Sequence, residues 1–496
     1  MKNVLEHLEQ SISRCPEKTA FADLDTKVTY RELGGHVKSI GTALAERLAP
    51  GTPVAVFLPK SVRAVEVFFG AVEAGCFYSM LDLKQPESRL LKILETLNTD
   101  VIVTSAEHSA TVRDVFGKEP LIYEELVAAN PDETLLGNIR ARHIDTAPLY
   151  VNFTSGSTGT PKGVVVCHRS VIDFIDIFTE LFGITGDDIL GNQAPFDFDV
   201  SVKDIYSTIK TGATMQIIPP KFFSIPTDLL DFLADREVTT LIWAVSALTL
   251  VTRLHGFEYR IPDKVKRVIF SGEVMPVKHL NLWMEALPEA EFVNVYGPTE
   301  ITCNCTYYIV DRHFENDESL PIGKPFPNER VFLLNEENAL ITEPGREGEL
   351  CVAGTALALG YYRNPEATAA AFTQNPLNEA YPELIYRTGD LAVYLEDGSL
   401  SYTGRKDFQI KHMGHRIELG EIEQAMNAVP EIGAACCLFL KNKIRGYYTG
   451  NITKKDLSAK LRTSIPDYMV PNVFVQLEEM PLNKNGKIDR KALAER

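Results

Sequence analysis

Residues 150–163 read Tyr-Val-Asn-Phe-Thr-Ser-Gly-Ser-Thr-Gly-Thr-Pro-Lys-Gly. An apolar, strand-like run leads directly into glycine, serine and threonine residues with one lysine, Lys162. Glycines let backbone N–H groups approach an anion, hydroxyl groups add donors, and the lysine adds positive charge. This combination predicts a phosphate-binding loop rather than the flexible surface loop that most such tracts form. It is not a Walker A loop, because Lys162 lies between Pro161 and Gly163 instead of preceding a Ser or Thr that opens a helix, which disfavours a P-loop kinase.

On both sides of this loop, strand-like and helix-like segments alternate. Residues 61–75 have helical periodicity. The strand candidates are residues 54–58, 100–104, 213–219 and 267–270. Strands separated by helices favour a parallel sheet with right-handed crossovers. The sequence therefore predicts the α/β fold class for this part of the chain.

The pattern changes after Pro325. Short strand candidates lie between glycine, proline and asparagine turns, at residues 331–334, 349–353 and 391–395. Such spacing predicts a small antiparallel barrel or sheet. The C-terminal part mixes two helix candidates with two strand candidates, at residues 419–429, 455–464, 434–440 and 473–477. This mixture predicts a separate α+β module.

Charge is unevenly distributed along the chain. Residues 404–496 carry 16 Lys and Arg against 11 Asp and Glu, whereas the whole chain has 50 against 67 and a net charge of -17. The sequence therefore predicts a large acidic domain, residues 1–403, followed by a small basic domain, residues 404–496. A basic surface of this kind suits a lid over an anion, although chance surface composition is the simpler explanation.

Composition excludes several classes of protein. The 496 residues, 45% of them hydrophobic, are typical of a globular chain of about three domain-sized units. A net charge of -17 disfavours general nucleic-acid binding. Eight cysteines without a CxxC pair favour reduced thiols over disulfides or zinc. With neither a signal-peptide pattern nor a membrane-length apolar run, a cytoplasmic location is expected.

A second motif is residues 294–300, Asn-Val-Tyr-Gly-Pro-Thr-Glu. Its Gly-Pro pair forces a turn at the end of a strand-like run. Tyr296 offers a flat face for a base, and Thr299 and Glu300 place a hydroxyl beside a carboxylate, which suits Mg²⁺. Alone, this motif is more often an ordinary strand-turn.

Two shorter motifs follow. Residues 386–390, Tyr-Arg-Thr-Gly-Asp, precede residues 404–407, Gly-Arg-Lys-Asp, and Asp390 can accept both hydroxyls of a ribose. Residues 483–489, Asn-Lys-Asn-Gly-Lys-Ile-Asp, present Lys487 on a turn near the C-terminus. In isolation these motifs are a plain turn and a solvated basic tail.

Together and in this order, the four motifs resemble the adenylate-forming enzyme superfamily. More narrowly they resemble the amino-acid adenylation domains of nonribosomal peptide synthetases and the D-alanine:carrier-protein ligases. Further matching segments are residues 194–201, 348–354, 360–361 and 416–423. Eight segments in family order cover nearly the whole chain. The resemblance implies a large domain of two parallel-type α/β subdomains and a small β-barrel, followed by a mobile α+β lid domain with its hinge at Asp407 and a thiol tunnel near Gly414.

The resemblance also implies an activity. A carboxylate attacks the α-phosphorus of ATP·Mg²⁺ and releases pyrophosphate, and a carrier-protein phosphopantetheine thiol then takes the acyl group and releases AMP. Catalysis is mostly positioning and charge neutralisation. Because no carrier segment follows residue 496, we expect a free-standing acidic carrier protein to be supplied in trans. Neither a nucleic acid nor a membrane is expected as a partner.

By the same resemblance, Glu300 carries Mg²⁺, Tyr296 stacks on adenine, and Lys487 bridges the α-phosphate and the substrate carboxylate. The residues implied in catalysis are Lys487, Glu300, Thr154 and Lys162. Those implied in ATP binding are Thr154, Ser155, Gly156, Ser157, Thr158, Gly159, Asn294, Tyr296, Gly297, Thr299, Asp390, Arg405 and Lys487.

Asp199 matches the aspartate that pairs with the α-amine in amino-acid-activating members, and it is the main reason to expect an amino acid. Its alternative role is to cap a helix starting at Val200. The full implied substrate set is Asp199, Val200, Lys203, Trp243, Ile269, Ser271, Val295, Cys303, Asn304 and Lys487. Lys203 could meet a side-chain carboxylate, or extend past the pocket to solvent. Trp243 would shorten the pocket, so we expect an acidic or a small substrate.

Alternatives remain at this point. A D-alanine ligase is the nearest, because Asp199-Val-Ser-Val-Lys203 and Ser271-Gly-Glu-Val resemble its segments. Lys203 replaces the methionine of that ligase and Ser271 replaces its cysteine, and both departures argue against D-alanine as the substrate. An acyl- or aryl-CoA ligase of the same fold is the second alternative. A non-catalytic nucleotide-binding module is disfavoured, because Lys487 and Glu300 are both present.

Overall fold

The computed structural model describes residues 1–156, 160–315, 318–482 and 488–495. The chain forms two compact units. The main unit comprises residues Met1–Asp82, Thr99–Asn152 and Val164–Lys406, and the second unit comprises Leu83–Asn98, Phe153–Gly163 and Asp407–Arg496. The sequence did not predict that the first two segments of the second unit would group with its C-terminal segment. A domain boundary at residue 404 and a mobile lid stay predictions.

The strands within the described residues are numbered in chain order. They are β1 Thr19–Ala22, β2 Lys27–Thr29, β3 Pro53–Phe57, β4 Phe77–Met80, β5 Ile102–Thr104, β6 Leu121–Ile122, β7 Pro148–Thr154, β8 Lys162–Cys167, β9 Ile189–Asn192, β10 Thr214–Ile217, β11 Thr240–Ala244, β12 Arg267–Ser271, β13 Glu291–Tyr296, β14 Thr306–Val310, β15 Lys324–Pro325, β16 Glu329–Leu334, β17 Leu340–Ile341, β18 Gly348–Gly354, β19 Gly360–Tyr361, β20 Phe372–Gln374, β21 Leu384–Tyr394, β22 Leu400–Arg405, β23 Gln409–His412, β24 His415–Glu418, β25 Ile432–Leu440, β26 Lys443–Gly450 and β27 Val473–Gln476.

The α-helices of the same residues are numbered likewise. They are α1 Leu5–Arg14, α2 Tyr30–Ala45, α3 Val62–Glu73, α4 Glu87–Leu97, α5 Ser109–Phe116, α6 Tyr123–Val127, α7 Glu133–Ala141, α8 His168–Leu181, α9 Val200–Thr211, α10 Pro226–Asp235, α11 Val245–Arg253, α12 Val277–Ala286, α13 Pro365–Ala371, α14 Leu419–Asn427, α15 Lys454–Leu461 and α16 Arg490–Ala494. Across the described parts of the chain, no helix is both long and apolar enough to cross a bilayer.

Two sheets confirm the predicted α/β class. The larger has the order β15-β14-β13-β12-β11-β9-β10-β1-β2. Pairing is parallel from β13 to β1 and antiparallel at the two ends, where β15, β14 and β2 lie. The second has the order β19-β8-β7-β4-β3-β5-β6, with parallel pairing from β7 to β6. A third, antiparallel sheet of β17-β16-β18-β21-β20, with β22 beside β21, confirms the change of pattern predicted after Pro325.

The order of strands places several predicted residues at one edge of the larger sheet. Ile242, Ile269 and Val293 lie side by side on β11, β12 and β13. They belong to one hydrophobic core together with Val200 and Val202 of α9. Because carboxyl ends of parallel strands meet at one edge, Ser271 and Tyr296, which end β12 and β13, both lie at that edge.

The second unit confirms the predicted α+β module. The hairpin β23–β24 precedes α14, and β25, β26 and β27 form a small sheet. Its core includes Ile422 and Met426 of α14, Cys437 of β25 and Leu457 of α15. The hairpin turns at Met413 and Gly414, both at positive φ, which is the backbone geometry of a tight two-residue turn.

Candidate active site

The segment after β13 packs closely against residues 303–304. A Cβ added at Gly297 would lie 2.5 Å from Asn304 Cα and 2.7 Å from the Cys303 carbonyl oxygen. Only glycine permits this approach. Thr302 and Cys303 both have positive φ, so the backbone bends sharply where these pocket candidates lie. Gly297 therefore allows the backbone of residues 303–304 to pack against it, in addition to its implied place in the nucleotide site.

Replacing Gly297 with alanine is expected to lower the free energy of unfolding by about 1–3 kcal/mol, because overpacking displaces the facing backbone. Urea unfolding measures this effect. Gly35→Ala is the matched control, because Gly35 lies inside α2 with open space around its Cα. Equal stability of Gly297→Ala and the wild type would contradict the close packing.

Tyr296, Asp390 and Arg405 form one cluster in the main unit. Pairing of β21 with β22 sets Asp390 opposite Arg405, whose Nη1 donates to Asp390 Oδ1 at 2.5 Å. The Tyr296 hydroxyl donates to the other oxygen, Oδ2. Burial, and then the Asp390 charge, raise the pKa of Tyr296 well above its usual value, so the phenol stays protonated. Each carboxylate oxygen keeps a second lone pair, which can accept a ribose hydroxyl.

The other nucleotide candidates of the main unit lie close along the chain. The buried Asn294 side chain donates to the Pro321 carbonyl at 2.8 Å. Thr299 begins a short 3₁₀ turn, Thr299–Ile301, that also carries Glu300. Glu300 is buried, and its Oε1 accepts a 2.6 Å hydrogen bond from the Tyr361 hydroxyl. Glu300 is thus a fixed, hard oxygen ligand of the kind that Mg²⁺ prefers.

A magnesium ion would need further ligands besides Glu300. Among the described residues, no group of three or more His, Cys, Asp or Glu side chains could hold a metal ion. Mg²⁺ commonly binds one or two carboxylates while nucleotide phosphates and water complete its octahedron. Glu300 therefore fits an ion delivered with ATP, which would neutralise phosphate charge.

Asp199 directly precedes α9, as the helix-cap alternative requires. Its side chain makes no capping hydrogen bond, however, so that alternative is wrong. The carboxylate is buried, with only 6% of the residue exposed. The Cys303 thiol donates to the Asp199 carbonyl at 3.1 Å, which fixes residue 303 beside the start of α9. The Asp199 carboxylate is therefore a buried group that is not used to cap α9.

Lys203 is fully buried one turn further along α9, so the alternative of an extension to solvent is wrong. Its ammonium donates to Asn304 Oδ1 at 2.8 Å and to Ser271 Oγ at 3.3 Å. Burial lowers the Lys203 pKa, while Cys303 and Asp199 oppose that effect. In the described part of the chain, no carboxylate lies within ion-pair distance and the third ammonium N–H has no hydrogen-bond partner. Two predicted pocket residues, Ser271 and Asn304, thus meet around the Lys203 cation.

Trp243 is a correction to the predicted pocket. Val200, Ile269 and Val295 lie in the core on the α9 side of the sheet. Trp243 belongs to a different core, where its indole packs against Phe223 and donates to a backbone carbonyl at 2.7 Å. Adjacent residues of a strand face opposite sides of the sheet, and Ile242 takes the α9 side. The structure does not bring Trp243 to the Lys203 cluster, so Trp243 no longer argues for a small substrate.

The phosphate-loop candidates lie in the second unit. Thr154 ends β7 and Lys162 begins β8, as a strand-loop-strand arrangement requires. A Cβ on Gly156 would collide with the Thr160 carbonyl oxygen, so position 156 requires glycine. The remaining candidates, Ser157, Thr158, Gly159 and Lys487, lie outside the described residues. Asp407 opens the last segment of the unit and accepts a hydrogen bond from the Gln409 N–H at 3.1 Å.

The sequence did not predict two residues near this loop: Glu421 contacts the loop, and Arg89 contacts Glu421. The Gly156 N–H donates to Glu421 Oε2 at 3.3 Å, and Arg89 Nη1 donates to Glu421 Oε1 at 2.6 Å. Glu421 lies within the matching segment 416–423, so it was within reach of sequence reasoning. Arg89 had no signal of its own, because its partner is far away in the chain.

Comparison with known proteins agrees with the family resemblance that the motifs indicate. The model of a family described as "AMP-binding enzyme" matches residues 8–362. The chain is 30% identical to a D-alanine--D-alanyl carrier protein ligase of Bacillus cytotoxicus over 99% of this chain and 98% of that protein. It is 32% identical to Zwittermicin A synthase ZmaJ of Bacillus cereus over 98% of this chain and 93% of that protein.

Other relatives are much longer. The chain is 32% identical to Tyrocidine synthase 1 of Brevibacillus parabrevis over 100% of its own length but spans 45% of that protein, and it spans 7% of Tyrocidine synthase 3 of the same organism. Among solved structures it is 28% identical to a four-domain nonribosomal peptide synthetase, AB3403, bound to AMP and glycine, with a TM-score of 0.73 over 100% of this chain and 36% of that one. The adenylation domain AlmE of Vibrio cholerae shares the fold, with 20% identity and a TM-score of 0.84 over 100% of this chain and 97% of that one.

Proposed function

Since the chain belongs to the AMP-binding enzyme family and is an ATP-dependent, adenylate-forming ligase, we propose that its acid substrate is an amino acid and that its acyl acceptor is the phosphopantetheine thiol of a carrier protein. The buried Asp199, which does not cap its helix, carries the proposal for an amino acid. A carboxylate in that position would pair with the ammonium of an amino acid, whereas a fatty or aryl acid would place an apolar group against a buried charge.

The proposed reaction has two balanced steps. A carboxylate oxygen of the amino acid bonds to the α-phosphorus of ATP, and the bond from that phosphorus to the pyrophosphate oxygen breaks. The carrier thiol then bonds to the carbonyl carbon of the aminoacyl-AMP, the bond to the AMP oxygen breaks, and the thiol proton leaves to solvent. The first step gives the otherwise inert carboxylate a good leaving group.

The residues of this chain position the reactants. Asp390, held by Arg405 and Tyr296, would accept the ribose hydroxyls, and Asp199 would accept the substrate ammonium. Glu300 would hold a Mg²⁺ ion that arrives with ATP, and that ion would neutralise phosphate charge. Lys487 would stabilise the charge that develops between the α-phosphate and the attacking carboxylate. The basic balance of residues 404–496 suits an acidic carrier protein, and the lid and the hinge at Asp407 remain part of this proposal.

The neutral partners of Lys203 support an acidic side chain on the substrate. Among the described residues, the Lys203 ammonium contacts neutral serine and asparagine oxygens and no carboxylate within ion-pair distance, and a substrate carboxylate would supply a direct partner. A D-alanine:carrier-protein ligase is the second candidate, because a relative of that kind matches this chain along nearly its whole length. A methyl side chain would leave the third N–H of Lys203 unpaired.

The experiment that tests the function is a screen of purified protein for pyrophosphate exchange and AMP formation with each common L- and D-amino acid. We expect one amino acid or a few related ones to drive exchange, and a carrier protein bearing phosphopantetheine to become acylated. Exchange driven by fatty or aryl acids but by no amino acid would contradict the proposal and favour the CoA-ligase alternative.

Lys203→Met is expected to lower kcat/KM for an acidic amino acid by at least about 100-fold more than kcat/KM for alanine, because removing one partner of a buried charge pair costs about 3–5 kcal/mol. Steady-state exchange kinetics with both substrates measure the ratio. Lys210→Met is the matched control, since Lys210 lies on the same helix and pairs with Asp176 instead. Equal losses for both amino acids would contradict side-chain pairing.

A further inference from the structure

The Gly156 amide lies in an anion site that is already filled. Its N–H donates to one oxygen of Glu421, and the Arg89 guanidinium holds the other at 2.6 Å. Arg89 and Glu421 are each only 4% exposed. A backbone amide and a guanidinium that converge on one anion form the donor set that binds phosphate groups in proteins. Here an internal carboxylate occupies that donor set.

The Ser155 hydroxyl, next to Gly156, is also occupied by hydrogen bonds within the second unit. Ser155 Oγ donates to the Arg416 carbonyl at 2.7 Å and accepts a hydrogen bond from the Glu418 N–H at 3.2 Å. Two successive groups implied in phosphate binding, the Ser155 hydroxyl and the Gly156 amide, are therefore both bonded to residues 416–421. All of these residues belong to the second unit.

We propose that the Glu421 carboxylate and a phosphate of ATP are alternative ligands of the Gly156 amide, so that Glu421 must leave the loop before the pyrophosphate end of ATP binds there. One backbone N–H cannot donate strongly to two anions, and two anions on one site repel each other. The inference rests on the proposed function only in requiring that the Gly156 amide binds a phosphate of ATP.

Arg89 acts as a positioning residue in this arrangement. Its Nη1 holds Glu421 Oε1, whereas its buried Nε has no hydrogen-bond partner among the described residues. Burial raises the pKa of Glu421, and the Arg89 charge opposes that effect. Without Arg89, the carboxylate would lose the cation that keeps it beside the loop.

If Glu421 occupies the amide in some of the molecules, only the remaining open fraction can bind the phosphate. The apparent Kd of ATP then equals the intrinsic Kd divided by that open fraction. If Glu421 holds the amide in roughly 90% of molecules, the apparent Kd of ATP is about tenfold weaker than the intrinsic one. AMP lacks the β- and γ-phosphates, so its affinity should not depend on Glu421. The ratio of ATP to AMP affinity therefore isolates the competition from any general change in the nucleotide site.

The test is titration calorimetry of the full chain with ATP and with AMP, in the presence of Mg²⁺ and without any amino acid. Glu421→Gln keeps the shape of the side chain and removes its charge. We expect this variant to lower the Kd of ATP by at least about threefold and to leave the Kd of AMP unchanged. Because this variant leaves Arg89 charged and buried, the double variant Arg89→Met/Glu421→Gln is measured beside it and should show the same change.

Glu423→Gln is the matched control, because Glu423 lies on the same helix but pairs with Arg490 and the Cys437 N–H. It should leave the ATP:AMP affinity ratio unchanged. An unchanged ratio in the folded double variant would overturn the competition while leaving the proposed function intact. Failure of the wild type to bind either nucleotide would overturn the proposed function as well.

Discussion

Replacing Lys487 with alanine is expected to reduce amino-acid-dependent pyrophosphate exchange by at least about 100- to 1,000-fold. The first step joins two anions, the α-phosphate and the substrate carboxylate, and charge builds up between them as the bond forms. A fixed cation between the two stabilises the transition state more than the separate ground states. Removing it should therefore lower kcat for adenylation more than it changes the Kd of ATP.

The second half-reaction provides the internal control. Transfer from preformed aminoacyl-AMP to a carrier thiol does not join two anions, so Lys487→Ala should retain it. Lys491→Ala is the matched control, because Lys491 is an exposed lysine of α16 four residues further along the chain. Near-normal exchange in Lys487→Ala, or an equal loss of both half-reactions, would contradict the proposed role.

Much of the fold could be predicted from local patterns. Short apolar runs become central strands, as at β3 and β12, and the segment 61–75 becomes α3, because most of their side chains are buried in the hydrophobic cores. The strand order could not be predicted. It depends on pairings such as β1 with β10 that join residues distant in sequence, and no single strand encodes its neighbour.

Part of the candidate pocket was implied by the family resemblance. Asp199, Lys203 and Ser271 were named on that ground, and the structure places Lys203 and Ser271 in contact. Trp243 could not be assigned to a face of its sheet. Both faces of a central parallel strand are buried, so the strand shows no alternation of polar and apolar residues. The contact of Glu421 with Gly156 was equally hidden, because it depends on tertiary packing of segments far apart in the chain.

Asp199→Asn is expected to raise the amino-acid KM by about 100-fold or more, since removing one partner from a buried charge pair costs about 3–5 kcal/mol. The amide keeps the size of the side chain and removes its charge, so the effect should appear in amino-acid binding while the Kd of ATP stays unchanged. The fold should survive, because the carboxylate makes no capping hydrogen bond to α9.

A variant of the neighbouring Asp197 is the control that distinguishes this role of Asp199 from a general loss of negative charge. Asp197 lies in the same segment but is only half-buried, so Asp197→Asn should change the amino-acid KM much less. Exchange kinetics across a range of amino-acid concentrations measure both variants. If Asp199→Asn binds the amino acid as tightly as the wild type, the ammonium lies elsewhere. In that case the buried carboxylate must instead serve the Lys203 cation on the next turn of α9, and the preference for an amine-bearing acid loses its physical basis.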